Sequence, residues 1–189
     1  MLSLDTLKIH QQTLLDRVEQ APLQSALIYF AVYVLVSALS IPGAALLTLL
    51  GGAIFSLWEA MLLVSLASTL GATLAMLVSR YLLRDWVQRR FAAQMNTIDV
   101  GMVRDVARYL FALRLMPLFP FFLVNLLMGL TRIQVRHYWW VSQLAMLPAT
   151  VIYLNAGREL GKLTTLRDIL SPGLLFAFTL LGLLPLVTR

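Results

Sequence analysis

The sequence predicts an all-α polytopic membrane protein. It would be built from two inverted repeats, each a re-entrant helix hairpin followed by a transmembrane helix, with flanking spans. Three observations lead there. Of 189 residues, 60% are hydrophobic and only 13% charged, with a mean hydropathy of +0.82, whereas soluble domains are about a quarter charged. Apolar runs long enough to cross a bilayer alternate with two shorter ones, each opened by proline and closed by glycine. The two halves of the chain also align on one another without a gap.

Composition excludes several function classes. The chain has no Cys, which removes disulfides, thiolate chemistry and Cys-ligated metals. The net charge of +6 reads first as a topology signal beside membrane spans, with no nucleic-acid partner implied. His10 and His137 are the only histidines, so no metal site is expected. There is no HExxH, GxSxG or P-loop, and no cofactor or enzymatic activity is expected.

Residues 1–22 hold acids and bases where a signal peptide would have a basic start and an apolar core. Leu7, Leu14, Leu15 and Val18 fall near one side of a helix, which predicts an interfacial amphipathic helix. The membrane domain is expected over 23–168 and a C-terminal transmembrane helix over 169–189. Residues 23–40, 57–79 and 138–157 each satisfy the roughly 17–25 apolar residues of a span, the last with Pro148 as a kink; 169–187 qualifies although Pro172 and Pro185 interrupt it. Segments 41–55 and 115–130 are too short to cross comfortably, and paired broken segments of this kind point to re-entrant helices and a transport site.

A shift of 78 positions brings Pro42 onto Pro120, Gly51 onto Gly129, Leu66 onto Leu144, Ala67 onto Ala145 and Arg80 onto Arg158. If 23–40 crosses, 41–55 dips and returns, and 57–79 crosses back, the repeats have opposite orientation. Eleven of the 15 basic residues then lie on the side of the N-terminus and of 80–108, against three (Arg158, Lys162 and Arg167) on the other. The positive-inside rule makes the richer side cytoplasmic, with both termini inside.

The segments "STLGATLAMLVSRYLLRD" (68–85) and "LRLMPLFPFFLVNLLMGLT" (113–131) carry a family likeness. So does a Gly-x3-[Val/Ile/Ala]-x4-[Phe/Tyr] signature met by Gly129, Ile133 and Tyr138. The chain resembles the VTT-domain, or DedA-like, superfamily (the SNARE-associated Golgi protein family), nearest its Golgi-vesicle Tvp-type branch and bacterial relatives. The likeness covers about residues 35–160. A second family signature, [Phe/Tyr]-x3-[Arg/Lys], falls on Met76 and Arg80, with Met in place of the aromatic residue. The resemblance implies two opposed re-entrant hairpins, a multi-pass protein of the cell inner (plasma) membrane, and a role in lipid handling. Eukaryotic relatives act as phospholipid scramblases; bacterial ones are tied to lipid-carrier recycling and envelope homeostasis, some with the proton gradient. Relatives thought to be proton-coupled carry acids near the first hairpin, and 41–55 has none.

Arg114 is the leading site residue. A cation at bilayer depth costs about 2.5–3.5 kcal/mol on insertion scales, and a guanidinium grips phosphate through a planar fork. The structural alternatives are that Arg114 caps carbonyls near Pro117 or pairs with an acid such as Glu59. Pro117 and Pro120 should break the chain and start a helix near 120, whose free N–H groups would offer an anion site; Pro42 and Gly43 would do the same from the other side. Asn125 reads as a lipid contact or as interhelical glue. Gly51, Gly52 and Gly129 read as close-approach or turn positions. Arg80 and Arg158 close spans and read as snorkelling anchors or, for Arg80, as a headgroup or gating residue. Glu59 is a proton site or, better, an interfacial acid. Segment 80–91 groups Leu82, Leu83, Trp86 and Val87 among arginines and should attract anionic headgroups.

The expected function is a lipid translocator moving phospholipid or polyprenyl-phosphate headgroups between leaflets. Membrane phospholipids or lipid-carrier phosphates are its expected partners, and a homo-oligomer is left open. The alternatives are a non-transporting membrane organiser and a proton-coupled solute transporter.

Overall fold

The computed structural model describes residues 4–41, 43–90, 106–115 and 119–162. The expected span 169–187, residues 91–105, Pro42 and Pro117 lie outside the described residues. Those described are all helical in their regular structure: α1 (Leu4–Gln20), α2 (Pro22–Ala38), α3 (Ala44–Ile54), α4 (Leu57–Tyr81), α5 (Arg84–Arg90), α6 (Val106–Leu115), α7 (Phe121–Leu130) and α8 (Val135–Gly161).

Length separates these helices into two kinds. At about 1.5 Å per residue, the 25 residues of α4 and 27 of α8 exceed the roughly 30 Å of a hydrocarbon core. The 11 residues of α3 and 10 of α7 reach only about half that depth. Among the described helices, α4 alone is both long and apolar enough to pass as a span; α2 joins it only if counted with α1, from which it is bent by 119°. Pro22 opens α2 at the first turn, where a missing N–H leaves nothing unpaired. Leucines along α2 and α4 face outward, Leu23 74% and Leu62 63% exposed, and Trp58 is 75% exposed at the start of α4. An apolar outer surface of this kind suits contact with lipid chains.

The path of α2 to α4 differs from the expected threading. The helix expected over 23–40 stops at Ala38, where Ser40 adopts a left-handed φ of 57°. The Ile41 N–H then reaches back to the Val36 carbonyl (3.0 Å) and the Ser40 N–H to Ser37 (3.1 Å). This is a Schellman closure, and it reverses the chain. α3 runs back along α2, with the Tyr33 hydroxyl 2.9 Å from that of Thr48 and the Tyr29 hydroxyl 2.6 Å from the Leu47 carbonyl. α4 then starts beside the start of α2, where Pro22 and Ala26 share a small cavity with Glu59 and Leu62. Its Gly71 lies against Ser37 and Ala38 near α2's end. α2 and α4 therefore run in the same direction, not in opposite ones as expected, and the hairpin is formed by α2 and α3 together.

The halves pack crosswise. α3 lies chiefly on α8, and α7 on α4. Gly52 meets the Leu154 carbonyl and Gly157 the Leu49 carbonyl so closely that a Cβ on either would collide with backbone. On the other side, the Ser79 hydroxyl donates to the Leu126 carbonyl (2.6 Å), and a Cβ at Gly129 would lie 2.7 Å from the Met76 carbonyl oxygen. α4 and α8 begin 78 residues apart, at Leu57 and Val135, each after an extended residue, Ser56 and Gln134. Two apolar cores result. One gathers Tyr29, Tyr33, Phe55 and Val64 with Leu154; the other gathers Leu110, Leu123, Leu127 and Tyr138 with Met76. Each is completed from the opposite half, by Leu154 in the first and by Ala72 and Met76 in the second.

Candidate functional site

Residues of α2, α3, α4, α6, α7 and α8 meet at one cavity of about 260 Å³. Its lining includes Tyr33, Thr48, Arg114, Phe121, Thr150 and Tyr153. The first turns of both short helices contribute, through Ala44 and Ala45 of α3 and Phe121 and Val124 of α7. Pro120 is the N-cap of α7 (φ −55°, ψ 138°), so the helix begins where its ring forbids an earlier start. Gly43 caps α3 at φ 156°, ψ −9°.

Arg114 is the last charged residue of α6, and its guanidinium is held by three side chains on two helices, α7 and α8. Nη2 donates to Asn125 Oδ1 (2.7 Å) and to the Tyr138 hydroxyl (2.6 Å), and Nε and Nη2 each lie 3.4 Å from Ser142 Oγ. The Tyr138 hydroxyl lies 2.8 Å from Asn125 Oδ1 and 3.3 Å from the Ala72 carbonyl, which ties α4 into the same cluster. The guanidinium carbon also sits 4.8 Å from the centre of the Phe121 ring and 5.6 Å from that of Tyr138, within cation–π range. Asn125, Tyr138 and Ser142 are completely buried.

The cluster is rich in donors and poor in acceptors. Arg114 Nη1 and Asn125 Nδ2 are both buried without a hydrogen-bond partner. No Asp or Glu lines the cavity among the described residues. The alternative pairing of Arg114 with Glu59 is not made. Glu59 is exposed at the start of α4, where its Oε2 accepts from the Ser56 hydroxyl (2.7 Å) and backbone N–H (3.3 Å). That is the geometry of a helix cap at an acid-favouring terminus. A buried cation held only by neutral groups can bind an anion strongly, because little solvent screens the pair and no carboxylate competes.

The structure gathers Arg114, Pro120 and Asn125 around this site, with Gly43 beside Ala44 at its rim. Arg80 is elsewhere. It donates to the carbonyls of Gly129 (3.2 Å), Thr131 (3.2 Å) and Ile133 (2.9 Å), closing the C-terminal end of α7. Gly51 packs under the Tyr29 ring and Gly129 against α4, so both serve helix approach outside the cavity. Sequence reasoning missed Tyr138 and Ser142 as partners of Arg114, although their i, i+4 spacing puts them on one face of α8. It also missed Tyr33 and Thr48 as the neutral wall of the cavity.

No curated protein and no solved structure matches the chain. The family model for the VTT domain matches residues 41–159, which span α3 to the end of α8 and contain the whole Arg114 cluster. The described residues form helices alone as regular structure, and the chain belongs to the VTT-domain family and is a membrane protein.

Proposed function

We propose that the protein is a lipid translocator, not an enzyme, which passes phosphate-bearing headgroups between leaflets while their acyl chains stay in the bilayer. The observation that carries this reading is the Arg114 cluster: a half-buried guanidinium whose Nη1, like Asn125 Nδ2, is a buried unpaired donor, with no carboxylate among the described lining residues, at a cavity where two half-depth helices begin. In this reading α2–α3 and α6–α7 are re-entrant hairpins entering from opposite faces, related by the 78-residue repeat, with their turns meeting near the bilayer midplane. Irregular backbone at that depth is tolerated where it lines a cavity. The crosswise packing of α3 on α8 and α7 on α4 supports the pairing of the two halves. In this reading the parallel course of α2 and α4 has Arg80, Arg84, Arg89, Arg132 and Arg136 at one membrane face and α1 at the other, so that the N-terminus, expected on the arginine-rich side, lies opposite it. The arginine-rich face is the cytoplasmic one.

A phosphodiester entering the cavity would accept from Arg114 Nη1 and Asn125 Nδ2, with the N-terminal amides of α7 alongside. Release needs no covalent step, only exchange of these bonds for water at either hairpin. The test is leaflet exchange of a fluorescent anionic phospholipid in proteoliposomes, with the probe in the outer leaflet bleached by a membrane-impermeant reductant. Arg114→Ala should slow exchange at least about tenfold, or ~1.4 kcal/mol in barrier. Arg114→Lys should fall between, since ammonium lacks the planar fork. Wild-type rates in the Ala variant would overturn the reading.

A further inference from the structure

A second polar cavity lies about one helix length from the first, where α4 passes into α5. Its volume is about 520 Å³, and it is lined by Arg80, Tyr81, Arg84, Asp85, Trp86 and Arg89, with Leu82 beside them. Three guanidinium-bearing residues against one carboxylate leave it strongly positive. Its rim has the composition of a membrane–water boundary: Tyr81 and Leu82 are each 76% exposed and Trp86 is 54% exposed, beside exposed Arg84 and Arg89. Aromatic rings settle at headgroup depth, and arginines there attract anionic lipid.

The inner wall of this cavity is Arg80, the residue that closes α7. Its Nε binds the Gly129 carbonyl in the last turn of the helix whose first turn lies at the Arg114 cavity, and its Nη2 binds the carbonyls of the C-cap Thr131 and of Ile133 just beyond it. The Gly129 carbonyl belongs to the negative end of the α7 dipole, which the Arg80 charge complements.

We infer that the Arg80–Arg84–Arg89 cavity is a discrete binding site for the headgroup of an anionic phospholipid, and that its occupancy fixes Arg80 on the end of α7. The bound lipid is a structural ligand, separate from the one transported. Its phosphate sits among the guanidinium groups, and Trp86, Tyr81 and Leu82 flank its glycerol and upper acyl region. By lowering the mutual repulsion of the arginines it holds the α4–α5 corner in place and, through Arg80, the register of α7 against α4.

The experiment is a thermal-unfolding titration of the full chain in neutral detergent with short-chain phosphatidylglycerol, phosphatidylcholine or inorganic phosphate. Phosphatidylglycerol should raise the midpoint in a saturable way, and phosphatidylcholine and inorganic phosphate should not. Replacing Arg84 and Arg89 by Ala should weaken the apparent affinity by about fivefold for each arginine removed. Arg84→Lys with Arg89→Lys should retain most of it. Arg114→Ala should keep the phosphatidylglycerol response while losing lipid exchange, which separates this site from the transport cavity. Arg136→Ala, an exposed arginine outside the cavity, should also leave the response intact. Equal losses at Arg136 and at the Arg84/Arg89 pair would overturn the inference in favour of diffuse surface charge. An equal response to inorganic phosphate would overturn the lipid assignment, and an unsaturable one the discrete site.

Discussion

The two halves of the chain are built alike and lined differently. At the positions 78 residues before Arg114, Asn125, Tyr138 and Ser142 stand Val36, Leu47, Ala60 and Val64. Every polar member of the cluster on the second half has an apolar counterpart on the first. What the halves share in structure is Gly51 and Gly129 near the ends of the short helices and the starts of α4 and α8; in sequence, Pro42 also stands 78 positions before Pro120. The first hairpin offers only neutral groups to the cavity, the paired hydroxyls of Tyr33 and Thr48. On the proposed function, the shared pattern would set where the chain reverses, and a few substitutions on one half would set what the cavity binds. One cation facing a neutral wall suits a headgroup that must be released as well as held, because a second arginine across 260 Å³ would retain the anion.

The largest expected effect comes from making the second half resemble the first. Asn125→Leu installs the residue found at position 47 and removes the nearest amide acceptor from the Arg114 guanidinium. Loss of a hydrogen bond to a charged group costs about 1.5–3 kcal/mol. The thermal midpoint in detergent should fall clearly. Adding Arg114→Val should recover much of that loss, since removing both partners is close to neutral where removing one is not. Lipid exchange should be lost in both variants. If the double variant is no more stable than Asn125→Leu alone, the guanidinium is not the buried charge that the cluster neutralises.

A smaller, purely structural difference separates glycines at the crosswise contacts from the glycine at the hairpin turn. A Cβ at Gly52 would strike the Leu154 carbonyl backbone, whereas one at Gly43 has nothing within 4 Å. Gly52→Ala should cost about 1–3 kcal/mol through forced separation of α3 from α8. Gly43→Ala meets only the strain of its φ of 156°, roughly 1 kcal/mol or somewhat more. Unfolding midpoints of the two variants rank the effects. The reverse order would mean that the turn, and not the helix crossing, limits stability.

Much of this architecture was legible because membrane solvent imposes length. The runs 41–55 and 115–130 are short in sequence and give half-depth helices at 44–54 and 121–130. Arg114 stood out because an unpaired charge in an apolar run needs partners. The course of α2 was not legible. Residues 23–40 have the length and hydropathy of a span, and the signal that ends the helix is backbone: Ser40 takes a left-handed conformation usually filled by glycine. Nor were the partners of Arg114 legible by position. Tyr138 and Ser142 lie 24 and 28 residues away and come to Arg114 only when α6 docks on α8. Arg80 looked like an interfacial anchor because spacing cannot show that three carbonyls at and just beyond the end of α7 lie within its reach.

The smallest effect is expected where the two long helices begin. α4 starts with Ser56 and Glu59, and α8 with Gln134 and His137 at the corresponding places. An acid three residues into a helix complements the positive end of the dipole, worth about 0.3–1 kcal/mol at an exposed site; a histidine there contributes nothing comparable. Glu59 is exposed and engaged with Ser56, well apart from the Arg114 cavity lining. Glu59→Gln keeps a side-chain acceptor for the cap and removes only the charge, so it should lower stability slightly. It should also leave exchange, measured from acidic to neutral pH, at wild-type rates. A pH-dependent exchange abolished by this substitution would transfer the working group from the arginine of the second half to the acid of the first, and with it the mechanism from passive exchange to proton coupling.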